Sequence, residues 1–145
     1  KSLKKINMSK TSSIFDCSII TLDKNHRVKG NLTAINNFSE LPFDVKRVYF
    51  LYDVPGGEAR GGHAHKTTIQ AIIAVSGTII FDIQGQKEYK EIFTLDSPNK
   101  LLIIPTLYWS DIKFSHNAVL LCLASEDYDE LEYIRDYNEF KNLAL

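Results

Sequence analysis

Cysteine is nearly missing from this chain. Cys17 and Cys122 are the only two, far apart and in no Cys-x-x-Cys arrangement, which argues against a disulfide scaffold and against a cysteine zinc site. No charge sign dominates: 17 Lys and Arg face 18 Asp and Glu, for a net −1. That balance argues against nucleic-acid binding by bulk positive charge and leaves room only for a local cation cluster that takes a small anion. Long apolar runs are missing as well. The longest, Ala118 to Ala124, has seven residues, too short for a membrane span and suited to a buried strand. The basic start, Lys1-Ser2-Leu3-Lys4-Lys5-Ile6-Asn7-Met8, has no apolar stretch behind it, so no secretory signal is read there. The expectations are no nucleic acid, no membrane and a cytoplasmic setting.

What remains is an ordinary globular composition. The 145 residues are 44% hydrophobic and 24% charged, enough for one core without staples. Short apolar stretches rich in Val, Ile, Tyr and Phe are punctuated by Gly, Pro, Asn and Asp. Ile19 to Leu22, Leu32 to Ile35, Val45 to Val54, Thr67 to Val75, Thr78 to Ile83, Tyr89 to Leu95, Leu101 to Ile104 and Ala118 to Ala124 read as strands. So many strands predict an all-β sandwich or barrel. Only the end reads as helix. Asp127 and Asp129 would cap a segment from Glu130 to Arg135, with Leu131, Ile134 and Phe140 on its buried side. Residues 1–12 are polar and read as a flexible segment, and residues 13–145 as a single domain without internal repeat or linker.

The densest chemistry is Arg60-Gly61-Gly62-His63-Ala64-His65-Lys66. His63 and His65 are two apart, which on a strand aims both imidazoles to one face and Ala64 to the other. The glycines let the backbone turn into the strand or approach a ligand closely. This spacing resembles the first motif of the cupin superfamily, which has His-x-His, then a Glu on the same strand, then a Gly. Here Gln70 takes the Glu position and Gly77 closes the motif. The second cupin motif, Pro-x-Gly-x-x-His, falls on Pro105-Thr106-Leu107-Tyr108-Trp109-Ser110, with Leu107 for the Gly and Ser110 for the His. A metal cupin holds its ion with three His and one Glu. Gln70 and Ser110 are poor replacements on a transition metal, and His26 and His116 sit at no matching position. No metal and no other cofactor is therefore expected. His63 and His65 are the candidate catalytic acid–base pair, with unperturbed pKa values of about 6.5.

A closer resemblance covers about residues 18–140. Pro42-Phe43-Asp44-Val45-Lys46-Arg47-Val48-Tyr49-Phe50-Leu51-Tyr52 leads into the histidine block, followed by Val75-Ser76-Gly77, Leu95-Asp96-Ser97-Pro98-Asn99-Lys100, Tyr128-Asp129-Glu130 and Tyr133-Ile134-Arg135-Asp136-Tyr137. Together these resemble the WxcM-like sugar 3,4-ketoisomerases. The resemblance implies a cupin-type double-stranded β-helix, a jelly-roll barrel with a short C-terminal helix, working as a metal-free homodimer. It implies conversion of dTDP-4-keto-6-deoxy-D-glucose to a dTDP-3-keto-6-deoxyhexose. Such products feed an aminotransferase making 3-amino-3,6-dideoxy sugars for bacterial surface glycans such as the lipopolysaccharide O-antigen. The two active-site histidines of that family match His63 and His65.

The residues suit that chemistry. Moving a ketone from C4 to C3 takes a proton off C3, passes an enediol(ate) and returns a proton to C4, and imidazole works both ways near neutral pH. If Val45 to Val54 alternates, Arg47, Tyr49 and Leu51 share one face and Val48, Phe50 and Tyr52 the other. Arg47 is then the candidate for diphosphate, because guanidinium pairs bidentately with phosphate oxygens, or else a buried salt-bridge partner. Tyr49 would orient a sugar hydroxyl or fill the barrel. Arg60 is a second diphosphate candidate, or else a solvated rim residue. Tyr108 and Trp109 would stack on thymine, wall the sugar pocket or pack in the core. Gln70 and Ser110 sit at vacated ligand positions, and Asp111 is a candidate for orienting an imidazole.

Two departures bear on the outcome. The family's N-terminal Arg-Gly-x-Leu-x-x-x-Glu falls on Lys29 to Asn36, with Lys29 for Arg and Asn36 for Glu; Lys29 is a point charge toward a nucleotide rather than a fork. The residues before that glycine and after the tryptophan differ between members leaving C4 galacto and gluco, and this chain has neither usual pair. Three other readings compete: a dTDP-sugar 3,5-epimerase, a metal-dependent cupin oxygenase and a non-catalytic nucleotide-sugar binding module.

Overall fold

The structure, a computed structural model, describes residues 16–143; the segment expected to be flexible, residues 1–12, lies outside them. The strands are β1 (Ser18–Thr21), β2 (Asn25–Arg27), β3 (Gly30–Leu32), β4 (Arg47–Leu51), β5 (Ala59–His65), β6 (Gln70–Ser76), β7 (Ile79–Gln84), β8 (Lys90–Leu95), β9 (Lys100–Ile104), β10 (Trp109–Phe114), β11 (Val119–Ala124) and β12 (Tyr133–Ile134). One helix, α1 (Tyr137–Lys141), follows. Two five-stranded sheets form the barrel, in the orders β1-β9-β6-β11-β4 and β12-β5-β10-β7-β8, and β2 and β3 make a separate hairpin. Every pairing is antiparallel. The all-β jelly-roll expectation is met.

Burial explains why some strands alternate and others do not. In β7 the pattern is regular: Ile79, Phe81 and Ile83 point inward and are fully buried. They meet Phe93, Leu95, Ile112 and Phe114 from their own sheet and Ile72, Leu102, Ile104 and Leu120 from the other. The stretches Ala71–Ala74 of β6 and Leu101–Ile104 of β9 are apolar and buried throughout because both of their faces are covered. Ala71, Ile73, Leu101 and Ile103 point away from the barrel into a second cluster closed by Leu22, Leu41 and Phe43. Each of these Ile, Leu and Phe side chains contributes roughly 1.5–3 kcal/mol by leaving water.

Strand β4 is shorter than the stretch Val45 to Val54, but its alternation is as expected. Arg47, Tyr49 and Leu51 are half-buried and Val48 and Phe50 exposed. The tail differs from the sequence reading. Glu130–Glu132 is one 3-10 turn whose first donors are met by Asp129. The chain then extends as β12, pairing Tyr133 with His65 and Ile134 with Ala64. The helix begins only after Asp136, whose side chain caps it at Glu139. Leu131 is 84% exposed, whereas Ile134 and Phe140 are buried as expected. The free edge of β5 offers backbone partners to Tyr133 and Ile134, both good strand formers, and that pairing prevails over a weak helical period.

Gly77 closes the turn between β6 and β7 at φ +73, and a Cβ there would lie 2.8 Å from the Cα of Ala118. Gly77→Ala is expected to cost about 1–3 kcal/mol for the backbone conformation alone, with the contact adding to it. Urea denaturation checks this; an unchanged midpoint would show that the turn relaxes.

Candidate active site

The bend that aims the histidines is built by two glycines. Gly61 and Gly62 have φ of +90 and +73. Opposite them on β10, Ser110 pairs with His63 and Asp111 with Gly61, so Gly62 is the extra residue of a β-bulge. The strands come so close there that a Cβ on Gly61 would sit 2.5 Å from the Ser110 carbonyl oxygen. The extra residue shifts the alternation. Arg60 and His63, an odd spacing apart, therefore line the same cavity.

That cavity, about 440 Å³, opens between the two sheets. Of the residues singled out from the sequence, Arg47, Tyr49, Arg60, His63, Gln70 and Ser110 line it. Tyr128, Tyr133 and Arg135 of the C-terminal segment complete its wall. The Gln70 amide donates to the Tyr49 hydroxyl at 2.7 Å, and burial pushes the Tyr49 phenol far up, so it stays protonated.

His65 lies behind His63 and is 4% exposed. Its Nδ1 is hydrogen-bonded to Oε1 of Glu132. A carboxylate only accepts, so Nδ1 carries the proton and Nε2 is left with its lone pair. Nε2 is buried and has no hydrogen-bond partner among the described residues. Glu132 is itself fixed by Thr67 N–H at 3.2 Å and by the Thr68 hydroxyl at 2.9 Å. The two imidazoles stand perpendicular, with ring centroids 4.9 Å apart, and Tyr133 contacts both at 5.2 and 4.4 Å.

The surroundings keep this pair uncharged. Burial, with the charges of His65 and Arg135, pulls His63 down to about 4. Burial also lowers His65, against the pull of Glu132. Burial disfavours an ionised Glu132, but the bond to His65 and the threonine donors outweigh it and hold the carboxyl below its usual range. At neutral pH the arrangement is two neutral imidazoles backed by one carboxylate, a set able to take and return protons.

Four sequence-derived candidates lie elsewhere. Strand β10 alternates, so Ser110 and Ile112 face the cavity and Trp109 and Asp111 the other way. Trp109 packs with Ala64, Ile134 and Phe140 under α1. Asp111 accepts from the Trp109 indole at 3.3 Å and reaches neither imidazole; the orienting carboxylate is Glu132. Tyr108 packs edge-on against Tyr89, ring centroids 5.6 Å apart, beside Gly85. Lys29 is exposed at the β2–β3 hairpin, against a separate shallow depression. Glu132, Tyr133, Tyr128 and Arg135 had no role assigned from the sequence. Their signal was the Tyr133-Ile134-Arg135 stretch, which read as strand puts Tyr133 and Arg135 on one side.

The donor set does not suit a cupin metal. Among the described residues no three His, Cys, Asp or Glu side chains converge on a point. At the two vacated ligand positions stand Gln70, whose amide is committed to Tyr49, and Ser110.

Comparison with known proteins places these features. The FdtA family model, described as WxcM-like, C-terminal, matches residues 15–144. A TDP-4-oxo-6-deoxy-alpha-D-glucose-3,4-oxoisomerase of Aneurinibacillus thermoaerophilus is 40% identical over 114 residues, 78% of this chain and 81% of that protein. A mutant of the 3,4-ketoisomerase QdtA from Thermoanaerobacterium thermosaccharolyticum, in complex with TDP-4-keto-6-deoxyglucose, superposes with a TM-score of 0.84. It is 33% identical and the match covers 88% of this chain and 93% of that one. The WlaRB TDP-quinovose 3,4-ketoisomerase of Campylobacter jejuni also gives 0.84, at 38% identity over 88% of this chain and 98% of that one.

A pH dependence of stability follows from the buried histidines. With His63 near 4 in the folded chain and at its ordinary 6.5 when unfolded, the unfolded state binds the proton first. Its contribution is complete above pH 6.5 and is lost as pH falls toward 4. His65 is shifted in the same direction. The urea midpoint should drop between pH 7.5 and pH 5, and His63→Asn should flatten the drop; an equally steep profile in the variant would assign the effect elsewhere.

Proposed function

Because the chain belongs to the FdtA, WxcM-like family, we propose that it is a 3,4-ketoisomerase acting on dTDP-4-keto-6-deoxy-D-glucose. The product is a dTDP-3-keto-6-deoxyhexose, the precursor an aminotransferase needs for a 3-amino-3,6-dideoxy sugar of a surface glycan, and the setting is the cytoplasm. The observation that carries this reading is the pair of neutral imidazoles at one cavity, His65 held in a single tautomer by Glu132.

The chemistry balances without an external oxidant. The C3–H bond breaks and its proton goes to an imidazole. The electron pair becomes the C3–C4 double bond, and the carbonyl pair moves to the C4 oxygen. The proton of the C3 hydroxyl passes to the C4 oxygen, the C3 oxygen becomes the carbonyl, and C4 takes a proton from the imidazole pair. His63 faces the sugar space, and His65 supplies a lone pair or, once protonated, an acid behind it. Neither step calls for a metal, and the poor donor set supports a metal-free route. Diphosphate would lie at the mouth by Arg60 and Arg135, cations suited to its oxygens.

We also propose a homodimer. Val48 and Phe50 are 54% and 59% exposed on the outer face of edge strand β4, and Tyr52, just past its end, is 61% exposed, with Phe50 and Tyr52 stacked at 5.6 Å. An apolar row beside an open strand edge favours a second copy. Light scattering should give twice the chain mass, and Phe50→Glu should shift it toward monomer; a wild-type monomer at micromolar concentration would overturn this.

The central test is proton NMR of the protein with dTDP-4-keto-6-deoxyglucose in D2O, with and without EDTA. A 3-keto product carrying deuterium, unaffected by chelator, is expected, and the C4 signal gives its galacto or gluco configuration. Exchange at C5 would mean an epimerase, chelator sensitivity a metal enzyme, and binding without turnover a binding module. His63→Asn and His65→Asn should each lower kcat by about 10²–10⁴-fold. Glu132→Gln should lower it less and shift the acid limb of the pH profile, because it leaves both imidazoles in place.

A further inference from the structure

Three arginines line the cavity, and their settings differ. Arg135 is about half exposed and ion-paired with Glu130, its Nη2 donating at 3.0 Å, and it lies over the Tyr133 ring at 4.4 Å. Arg60 is exposed. Arg47 is the inner one. Its Nε and Nη2 are buried and have no hydrogen-bond acceptor among the described residues. Its guanidinium lies 5.5 Å from the ring centres of both Tyr49 and Tyr128, so the side chain is held although those two donors are unused.

Arg47 also sits at the histidine end of the cavity. On its sheet it is opposite Ala124, which in turn is opposite Gln70. His65 is near enough on the facing sheet that the Arg47 charge acts against its protonation. A hydrated diphosphate, with its charges spread over many oxygens, is best met at the solvent-facing mouth. Buried, preorganised donors with no ground-state partner are most effective against a charge that appears only during reaction. The isomerisation creates one such charge, on the C4 oxygen of the carbonyl next to the carbon that loses its proton.

We infer that Arg47 donates its buried Nε and Nη2 hydrogens to the C3 and C4 oxygens of the sugar and stabilises the enediolate, rather than holding the diphosphate. The inference rests on the isomerase reading. In the step concerned the C3–H pair becomes the C3–C4 double bond and the carbonyl pair comes to rest on the C4 oxygen. Arg47 stays protonated throughout and adds no atom or electron.

The test measures TDP binding by calorimetry and turnover by NMR for the wild type, Arg47→Gln and Arg47→Lys. For Arg47→Gln we expect a TDP Kd within about threefold of wild type and a kcat lowered by about 10²–10³-fold, the loss seen when one oxyanion donor is removed. Arg47→Lys should recover part of kcat, since it keeps the charge and loses the fork. Retained TDP binding also shows that the variant is folded. A TDP affinity reduced tenfold or more with kcat preserved at saturation would overturn the inference and return Arg47 to the diphosphate. Should Arg47→Gln fail to fold, the same split read in Arg47→Lys decides. A wild-type protein that binds TDP without turning over the keto sugar would instead overturn the isomerase reading, and this inference with it.

Discussion

The hydrogen bond between His65 and Glu132 is the constraint on which the site depends. It joins two segments 67 residues apart in the chain and is itself nearly dry. A buried carboxylate is costly unless its oxygens are occupied. Here Thr67, Thr68 and His65 occupy them. The same bond selects the His65 tautomer, pulls the extended tail against the edge of β5, and so brings Tyr133 and Arg135 to the cavity. Cavity wall and oriented imidazole pair are thus products of one interaction.

Around that bond the polar groups are arranged by depth. The inner wall of the cavity holds neutral groups, two imidazoles, the Gln70 amide and the Tyr49 hydroxyl, in front of the buried Glu132 carboxylate. The permanently charged arginines stand at its margins, apart from Arg47. Such a gradient suits a substrate with a charged end and an uncharged sugar. It also suits a reaction that redistributes electrons within one molecule, since protons are the only things the protein must move.

Much of this was legible in the sequence, because period two is a strong signal wherever one face of a strand is buried. The shared face of His63 and His65 and the inward row Arg47, Tyr49 and Leu51 followed from alternation, and the placement of Gln70 from the resemblance to the cupin motif. The same rule, applied to β10, would have separated Ser110 from Trp109 and Asp111, since three consecutive residues cannot all face one cavity. The tail was harder. A strand of two residues has no period to read, and acidic capping residues before an apolar pair imitate a helix start. What makes Tyr133 and Ile134 extended is the open edge of β5, a partner distant in the chain. Glu132 was hidden for the same reason: its role exists only once that pairing forms. The bulge at Gly62 was visible as a glycine pair but not as a shift in phase.

The late position of Glu132 has a consequence for biogenesis. During synthesis the histidine strand emerges from the ribosome well before the acid that orients it. Both sheets can collapse around their apolar faces in that interval, since the residues of the main core cluster precede Glu132. The nascent chain would then hold a barrel with an unaimed His65 and an open β5 edge. When the segment from Glu130 to Ile134 follows, Glu132 meets His65 and the β5 edge is covered in the same movement.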